Sequence, residues 1–367
     1  MTREMVMKGK TVIEHRSYAR VGFLGNPSDR YYGKTISFSL ANFYASVWLE
    51  PSPTLLFKPH PKHDPMEFAS VEHLRNRIKG EGYYGGLRLL AAACQVFHEY
   101  FEDKGVTLHK NNFTLSYDTN IPRQTGLSGS SAIVWATLQC LLEFYEIPSE
   151  SVDVDYLPSL ILSAEVQLGI TAGLQDRVIQ VYGGVVYMDF DRSMIDRAKK
   201  GIYVPLDRCL LPTLYLIYAE NPSESGKVHN NVKNKWLAGD QEIRDLMSEI
   251  AEVAVDGRLA LQEGDYARLA KLMDKNFDLR RKIFGDEVLG DLNIRMVETA
   301  RSVGAACKFT GSGGAIVAFC PQGAAQEEAL VEACESAGFT VGVCQIGPSN
   351  VKVAANNKVT LSLQKRL

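Results

Sequence analysis

The chain has 367 residues, 46% of them hydrophobic and 23% charged, with a formal net charge of -3. That is enough apolar mass for one large or two ordinary domains, and so small a charge points to no polyanion or membrane surface as the main partner. Seven scattered cysteines without a Cys-x-x-Cys pair, a charged N-terminal decapeptide and the lack of any bilayer-length apolar run give the expectation of a soluble, cytoplasmic protein.

Residues 19–24 read as a short buried strand that runs into the turn cluster Gly25-Asn26-Pro27-Ser28-Asp29, whose polar side chains can face a ligand. Strands are expected at 35–40 and 44–49. Gly33-Lys34-Thr35 imitates the end of a Walker A loop, but Ser28 stands where that motif needs its first glycine, and a strand follows where it needs a helix. The proline-rich stretch 51–65 is expected to be a loop excursion, and its His60 and His63 are given no chemistry. Leu87, Leu90, Ala91, Cys94, Phe97, His98 and Phe101 keep a helical rhythm ending at Asp103-Lys104-Gly105, with His98 read as a core or boundary histidine. A strand at 113–117 follows.

The stretch 121–145 is organised differently. Gly126, Gly129 and the hydroxyls of Ser128, Ser130 and Ser131 come first, then Val134, Leu138, Leu141, Leu142 and Tyr145 at helical spacing. Free N–H groups and the dipole at such a helix start suit phosphate, while the same residues also suit a serine-rich cap on a core helix. A further helix is expected at 155–168, then a loop at 169–177 that carries Gly169, Gly173, Asp176 and Arg177. Glu165 and Asp176 can divide metal binding and proton handling between them, or be two solvated acids.

A turn at Gly183-Gly184 and a strand at 185–190 precede a boundary that divides the chain into domains 1–207 and 208–367. Beyond it the pattern predicts a strand at 213–219, a polar loop from Asn221 to Gly226 and helices at 241–263, 266–284 and 291–303. Strands at 307–310 and 315–320 flank the turn Gly311-Ser312-Gly313-Gly314, and a helix (324–337) and a strand (340–345) complete helices on a small antiparallel sheet, an α+β arrangement.

Three separated segments together resemble the GHMP superfamily of small-molecule kinases. Arg20-Val21-Gly22-Phe23-Leu24-Gly25-Asn26-Pro27-Ser28-Asp29 is similar to its first motif. The phosphate loop is matched by Pro122, Arg123, Gln124, Thr125, Gly126, Leu127, Ser128, Gly129, Ser130, Ser131 and Ala132. Lys308-Phe309-Thr310-Gly311-Ser312-Gly313-Gly314 is similar to the glycine turn that braces that loop. Gly169 to Asp176 is similar to the segment with the catalytic aspartate, and Glu165 stands where a magnesium-binding glutamate is expected. Two departures stand out: Gly129 is an additional residue in the phosphate loop, and Asn26-Pro27 replaces the usual Glu-His of the first motif.

The resemblance implies a GHMP kinase fold of α+β class: an N-terminal ribosomal-protein-S5-like α/β domain, a C-terminal ferredoxin-like domain and an active site between them. It implies ATP as co-substrate on residues 122–132 with Gly311 and Gly313, and magnesium on Ser131 and Glu165. Asp176 and Arg20 are the implied catalytic pair, and Asn26 and Asp29 the implied sugar ligands. Within the superfamily, residues 25–34 and 123–131 look most like the plant-type glucuronokinase family, which implies transfer to the anomeric hydroxyl of D-glucuronate and salvage toward UDP-glucuronate. A uronate carboxylate needs a cation, and Arg30, Lys34, Arg123 and Arg177 lie in or beside the implied site. Kinases for galacturonate, a heptose phosphate or fucose, and a non-catalytic sugar sensor, remain as alternatives.

Overall fold

A computed structural model describes residues 12–81, 85–170, 172–219, 230–354 and 358–362. The charged N-terminal decapeptide and the polar loop 221–226 lie outside the described residues. A long hairpin of β1 (Ile13–Leu24) and β2 (Lys34–Ser52) starts the fold. Then come β3 (Leu56–Phe57), α1 (Val71–Glu81), α2 (Gly86–Asp103), β4 (Asn112–Thr119), α3 (Gly129–Phe144), α4 (Leu157–Gln167) and α5 (Gln175–Tyr182). The elements β5 (Val185–Asp189), α6 (Arg192–Ala198) and β6 (Ile202–Leu206) complete a sheet in which β3-β4-β2-β5-β6 lie in order and β1 also pairs with β2.

The two strands expected at 35–40 and 44–49 are one strand. β1 pairs Tyr18 with Tyr44 but Ala19 with Leu40, so residues 41–43 bulge out and β2 bends instead of ending. This bend lets one strand serve both β4 and β5. Thr35 is buried within β2, as the rejection of a Walker A loop requires. His98 departs from expectation. It is exposed on α2 beside Glu102, on the side of the helix away from Leu90, Ala93 and Phe97.

The second sheet is antiparallel, in the order β10-β7-β9-β8, from β7 (Leu214–Tyr218), β8 (Ala306–Phe309), β9 (Ala315–Phe319) and β10 (Thr340–Val343). Between and against these strands lie α7 (Asn230–Leu237), α8 (Gln241–Glu263), α9 (Tyr266–Phe284), α10 (Asp286–Leu289), α11 (Asp291–Ser302) and α12 (Ala324–Ser336). Asp240 and Asp265 cap α8 and α9, accepting from the N–H groups of Ile243 and Arg268, and left-handed Gly264 ends α8. A small hairpin of β11 (Val351–Val353) and β12 (Val359–Leu361) follows, and the segment before it returns to the first sheet through Ile346 beside Leu40 and Ser349 beside Gly183.

Helix α3 sets the position of everything that follows. Every residue from Ser131 to Leu142 is buried, Trp135 completely, because the helix is apolar on all sides and is enclosed by the first sheet, α2, α4 and α5. Its partly open N-terminal residues, Gly129 and Ser130, face a cleft. Among the described residues no helix is long and apolar enough to cross a membrane, and all seven cysteines are free thiols.

Candidate active site

The N-terminus of α3 opens into a cleft of about 370 Å³ between the two sheets. One wall comes from β1, the turn after it, residues 121–130 and the start of α5. The other comes from Arg280 and Phe284 of α9 with Gly311 and Ser312 of the glycine turn.

The walls meet through backbone contacts that only glycine permits. Gly126 has φ +64°, and a Cβ there would stand 2.9 Å from both Gly313 O and Ser312 N. A Cβ on Gly311 would collide with Gly126 O and approach the Arg20 guanidinium to 3.0 Å. The two loops therefore press backbone on backbone, which fixes where the N–H groups at the start of α3 point. Gly129 begins the helix, while Ser128 before it takes φ +67°. A Cβ on Gly129 would meet nothing nearer than Ile121 at 3.6 Å, so this extra residue is not there for lack of space.

Arg20 is the joint of the site. Its Nε donates to Asp176 Oδ1 at 2.6 Å, and its Nη1 donates to Gly126 O and, at 3.2 Å, to Thr310 O. One buried side chain thus ties β1 to the phosphate loop, the glycine turn and α5. Asp176 lies in the first turn of α5, not in the loop that its glycine neighbours suggested. Burial pushes its carboxyl up, but the Arg20 and Arg177 guanidiniums outweigh this and hold it down at about 2.

Beneath the cleft floor, Glu165 is completely buried and accepts from Ser130 Oγ at 2.6 Å and Ser131 Oγ at 3.1 Å. Its Oε2 accepts from Arg177 Nε at 2.5 Å and from Arg177 Nη2. The two serines differ. Ser130 lines the cleft, whereas Ser131 is buried behind it. Ser131, the expected metal serine, donates to Glu165 from behind the cleft, whereas Ser130 shows one face to the cleft and donates to Glu165 from there. A donor set of hydroxyl and carboxylate oxygens is hard and suits magnesium.

At the far end, Asp29 lines the cleft and its Oδ2 accepts from Gln175 N at 3.4 Å. Burial, with the negative charge of Asp176, pushes its carboxyl up to about 6. Gly173 makes this approach possible, since a Cβ there would collide with Asp29 Oδ2. Asn26 also lines the cleft, its Oδ1 held at 2.6 Å by the buried amine of Lys308, which donates further to Gly22 O and Phe309 O. Asn276 of α9 clamps the same turn by accepting from Gly25 N and donating to Asn26 O.

Two of the expected cations have carboxylate partners. Lys34 points along β2 toward Glu252 and does not line the cleft. Arg177 touches the cleft margin, and its nitrogens donate to Glu165, Asp176 and Gly173 O. Arg30 and Arg123 line the cleft as expected, as do Pro122, Gln124, Gly126, Leu127 and Ser128. Thr125, Ala132 and Gly313 stand behind it.

Three contributors are not among the expected site residues. Arg280 is one. The second is an apolar flank beside the phosphate loop, formed by Leu89, Tyr117, Ile121 and Ile133 with Gly86 and His63. Lys308 is the third; it stands inside the glycine-turn motif but was given no role. His60 and His63 do meet Asp118, with ligand atoms within 4.8 Å of one another. The two ring nitrogens of His60 are already used, Nδ1 by the N–H groups of Lys62 and His63 and Nε2 by Asp118, as befits a turn cap.

A two-layered cleft of this kind, with a glycine-braced helix start beside an Arg–Asp pair, is that of a small-molecule kinase, and the comparisons with known proteins agree. The profile of the GHMP kinases N terminal domain matches residues 88–184, and that of the GHMP kinases C terminal region matches residues 258–338. The chain belongs to the GHMP kinases.

Two Arabidopsis thaliana proteins are similar over nearly the whole length. Glucuronokinase 1 is 59% identical over 92% of this chain and 93% of its own, and probable glucuronokinase 2 is 56% identical over 97% and 96%. The fold is also that of L. major mevalonate kinase, with a TM-score of 0.64 at 20% identity over 93% of this chain and 98% of that one.

Proposed function

We propose that this protein transfers the γ-phosphoryl group of ATP to the anomeric hydroxyl of D-glucuronate, giving D-glucuronate 1-phosphate and ADP in the cytoplasm. The observation that carries the reading is 59% identity to a glucuronokinase over 92% of the chain. The two ends of the cleft support it. The apolar flank at Leu89, Tyr117 and Ile133 suits a nucleoside, while the polar end at Asn26, Asp29, Arg30 and Arg280 suits a hydroxylated acid. Residues 1–207 form the phosphate-binding domain in this reading and 208–367 the domain that closes the cleft.

The loop from Pro122 to Ala132 and the start of α3 hold the ATP phosphates by backbone N–H groups. Ser130 and Glu165 would hold magnesium, which would supply positive charge against the ATP phosphates. Arg20 places positive charge beside the transferred group. Asp176 orients the anomeric hydroxyl for in-line attack and accepts its proton late, since a carboxyl held at about 2 is a poor base. Asn26 and Asp29 bind sugar hydroxyls.

An ADP-release assay across free sugars and uronic acids, with the phosphate located on the product, tests the substrate. Release with glucuronate above every neutral sugar is expected; release with none leaves a sensor. Ser130→Ala is expected to raise the magnesium concentration for half-maximal rate by about tenfold, with the glucuronate KM little changed. A change confined to the sugar KM removes Ser130 from the metal.

Asp29 gives the pH dependence its sign. Its raised folded value of about 6 means that acid protonates it and removes an acceptor for sugar hydroxyls, so kcat/KM for glucuronate rises from pH 5 to 7 with a midpoint near 6. Asp29→Asn is expected to lower the rate and erase that limb. A limb that survives in the variant belongs to another group.

A further inference from the structure

Arg280 is a charged residue in a buried stripe. On α9 the inward positions Leu269, Met273, Asn276, Phe277, Arg280 and Phe284 recur at three- and four-residue steps, and Arg280 is only 3% exposed. Its Nη1 donates to Gly311 O at 2.8 Å and its Nη2 to Ser312 O at 3.3 Å, while Nε is buried and donates to nothing. Among the described residues no carboxylate stands within ion-pair distance of it. The rings of Phe309 and Phe284 lie 5.0 and 5.5 Å from its guanidinium carbon. Burial lowers its value to about 10, with the Asp29 carboxylate opposing that shift and the Arg20 charge adding to it, so it stays cationic at neutral pH.

A guanidinium buried with no carboxylate in ion-pair contact is costly, and two carbonyl contacts with a more distant Asp29 do not repay the charge. Its cationic neighbours show the contrast. Arg20 and Arg177 line the same cleft, and each has its carboxylate, Asp176 and Glu165. Arg280 lies instead on the wall opposite the phosphate-loop helix, near Asp29 and Tyr31, the residues of the sugar turn. The geometry leaves it short of one acidic oxygen partner at that end.

We propose that Arg280 is the residue that binds the substrate's carboxylate and so selects a uronate over a neutral sugar. This rests on the reading of the protein as a glucuronate kinase. The planar guanidinium, held flat by the glycine turn, offers the second N–H of its terminal Nη groups to the carboxylate, and the site is penalised when a neutral substrate leaves them unpaired. The transferred phosphoryl group is an anion of similar chemistry, and substrate charge separates the two.

The test compares kcat/KM for glucuronate with that for glucuronamide, its neutral amide, in the wild-type protein, Arg280→Gln and Arg280→Lys. The wild type is expected to prefer glucuronate by at least about 30-fold. In Arg280→Gln the preference falls to within about threefold, and Arg280→Lys, which keeps the charge but not the fork, retains an intermediate preference. Arg280→Lys also answers the question alone should the glutamine variant not fold, since an undiminished preference there overturns the proposal. Equal losses for both substrates place Arg280 on the phosphoryl group or the glycine turn and overturn it as well. Loss of the preference in Arg30→Gln, with none in Arg280→Gln, transfers the role to Arg30. A wild type that phosphorylates some other sugar and no uronate refutes the substrate assignment itself, and is distinguishable from each of these.

Discussion

Replacing Asp176 by Asn lowers kcat by about 10³-fold, while the dissociation constant for nucleotide moves by less than about threefold. The asymmetry comes from where Asp176 stands. Its Oδ1 is 2.6 Å from Arg20 Nε, and Arg20 in turn holds Gly126 O of the phosphate loop and Thr310 O of the opposite wall. Asparagine keeps the shape, so the loop and its N–H groups stay in place. What it loses is the full negative charge that orients a hydroxyl as an acceptor and balances Arg20. A phosphoryl transfer with a loose transition state needs little base strength from its nucleophile's partner, which is why a carboxylate held at about 2 suffices. Single-turnover rates with a fluorescent nucleotide titration measure both quantities. A kcat within tenfold of wild type removes Asp176 from the reaction, and a parallel loss of nucleotide binding makes it a brace for the loop.

Much of the fold is legible in the sequence wherever a local signal and the tertiary structure agree. The bounds of α8 and α9 follow from Asp240, Asp265, Gly264 and Gly285, because caps act within one turn of the chain. The bend in β2 is not legible, since a bulge at 41–43 and a break between two strands have the same polar signature, and only the partner's register at Tyr18 and Ala19 separates them. Asp176 reads as a loop residue because Gly169 and Gly173 punctuate the run, and an eight-residue helix beginning at Gln175 has too few turns to show a period. His98 shows the reverse error: its neighbours are apolar, but the stripe passes beside it.

The site divides in the same way. Arg20, Asp29 and Asp176 line the cleft and Glu165 lies beneath it, and all four belong to segments that the resemblance singles out. Lys34 follows the sugar turn within a few residues, as Arg30 does at once, but it belongs to β2 and faces Glu252. Arg280 is 31 residues from the glycine turn that it touches. The available signal was a charge at a core position of an amphipathic helix, and its meaning depends on what packs there.

Arg177→Met tests the other ion pair, and here the effect is on stability. Glu165 is completely buried, and Arg177 is its only ionic partner among the described residues; Ser130 and Ser131 are its remaining donors. Methionine fills much of the volume but leaves a carboxylate in the interior with only hydroxyls to solvate it. Breaking a buried pair from one side costs about 3–5 kcal/mol, far more than the pair itself contributes over an apolar replacement. Urea denaturation at neutral pH is expected to show that loss as a lower midpoint at an unchanged slope. Adding Glu165→Gln to Arg177→Met should restore at least half of the lost stability, since it removes the charge that the first change stranded. The double variant stays slow at every magnesium concentration, because a neutral amide replaces the carboxylate behind Ser130. A single variant that loses less than about 1 kcal/mol would show that Ser130 and Ser131 alone satisfy Glu165 and that Arg177 serves Asp176 instead.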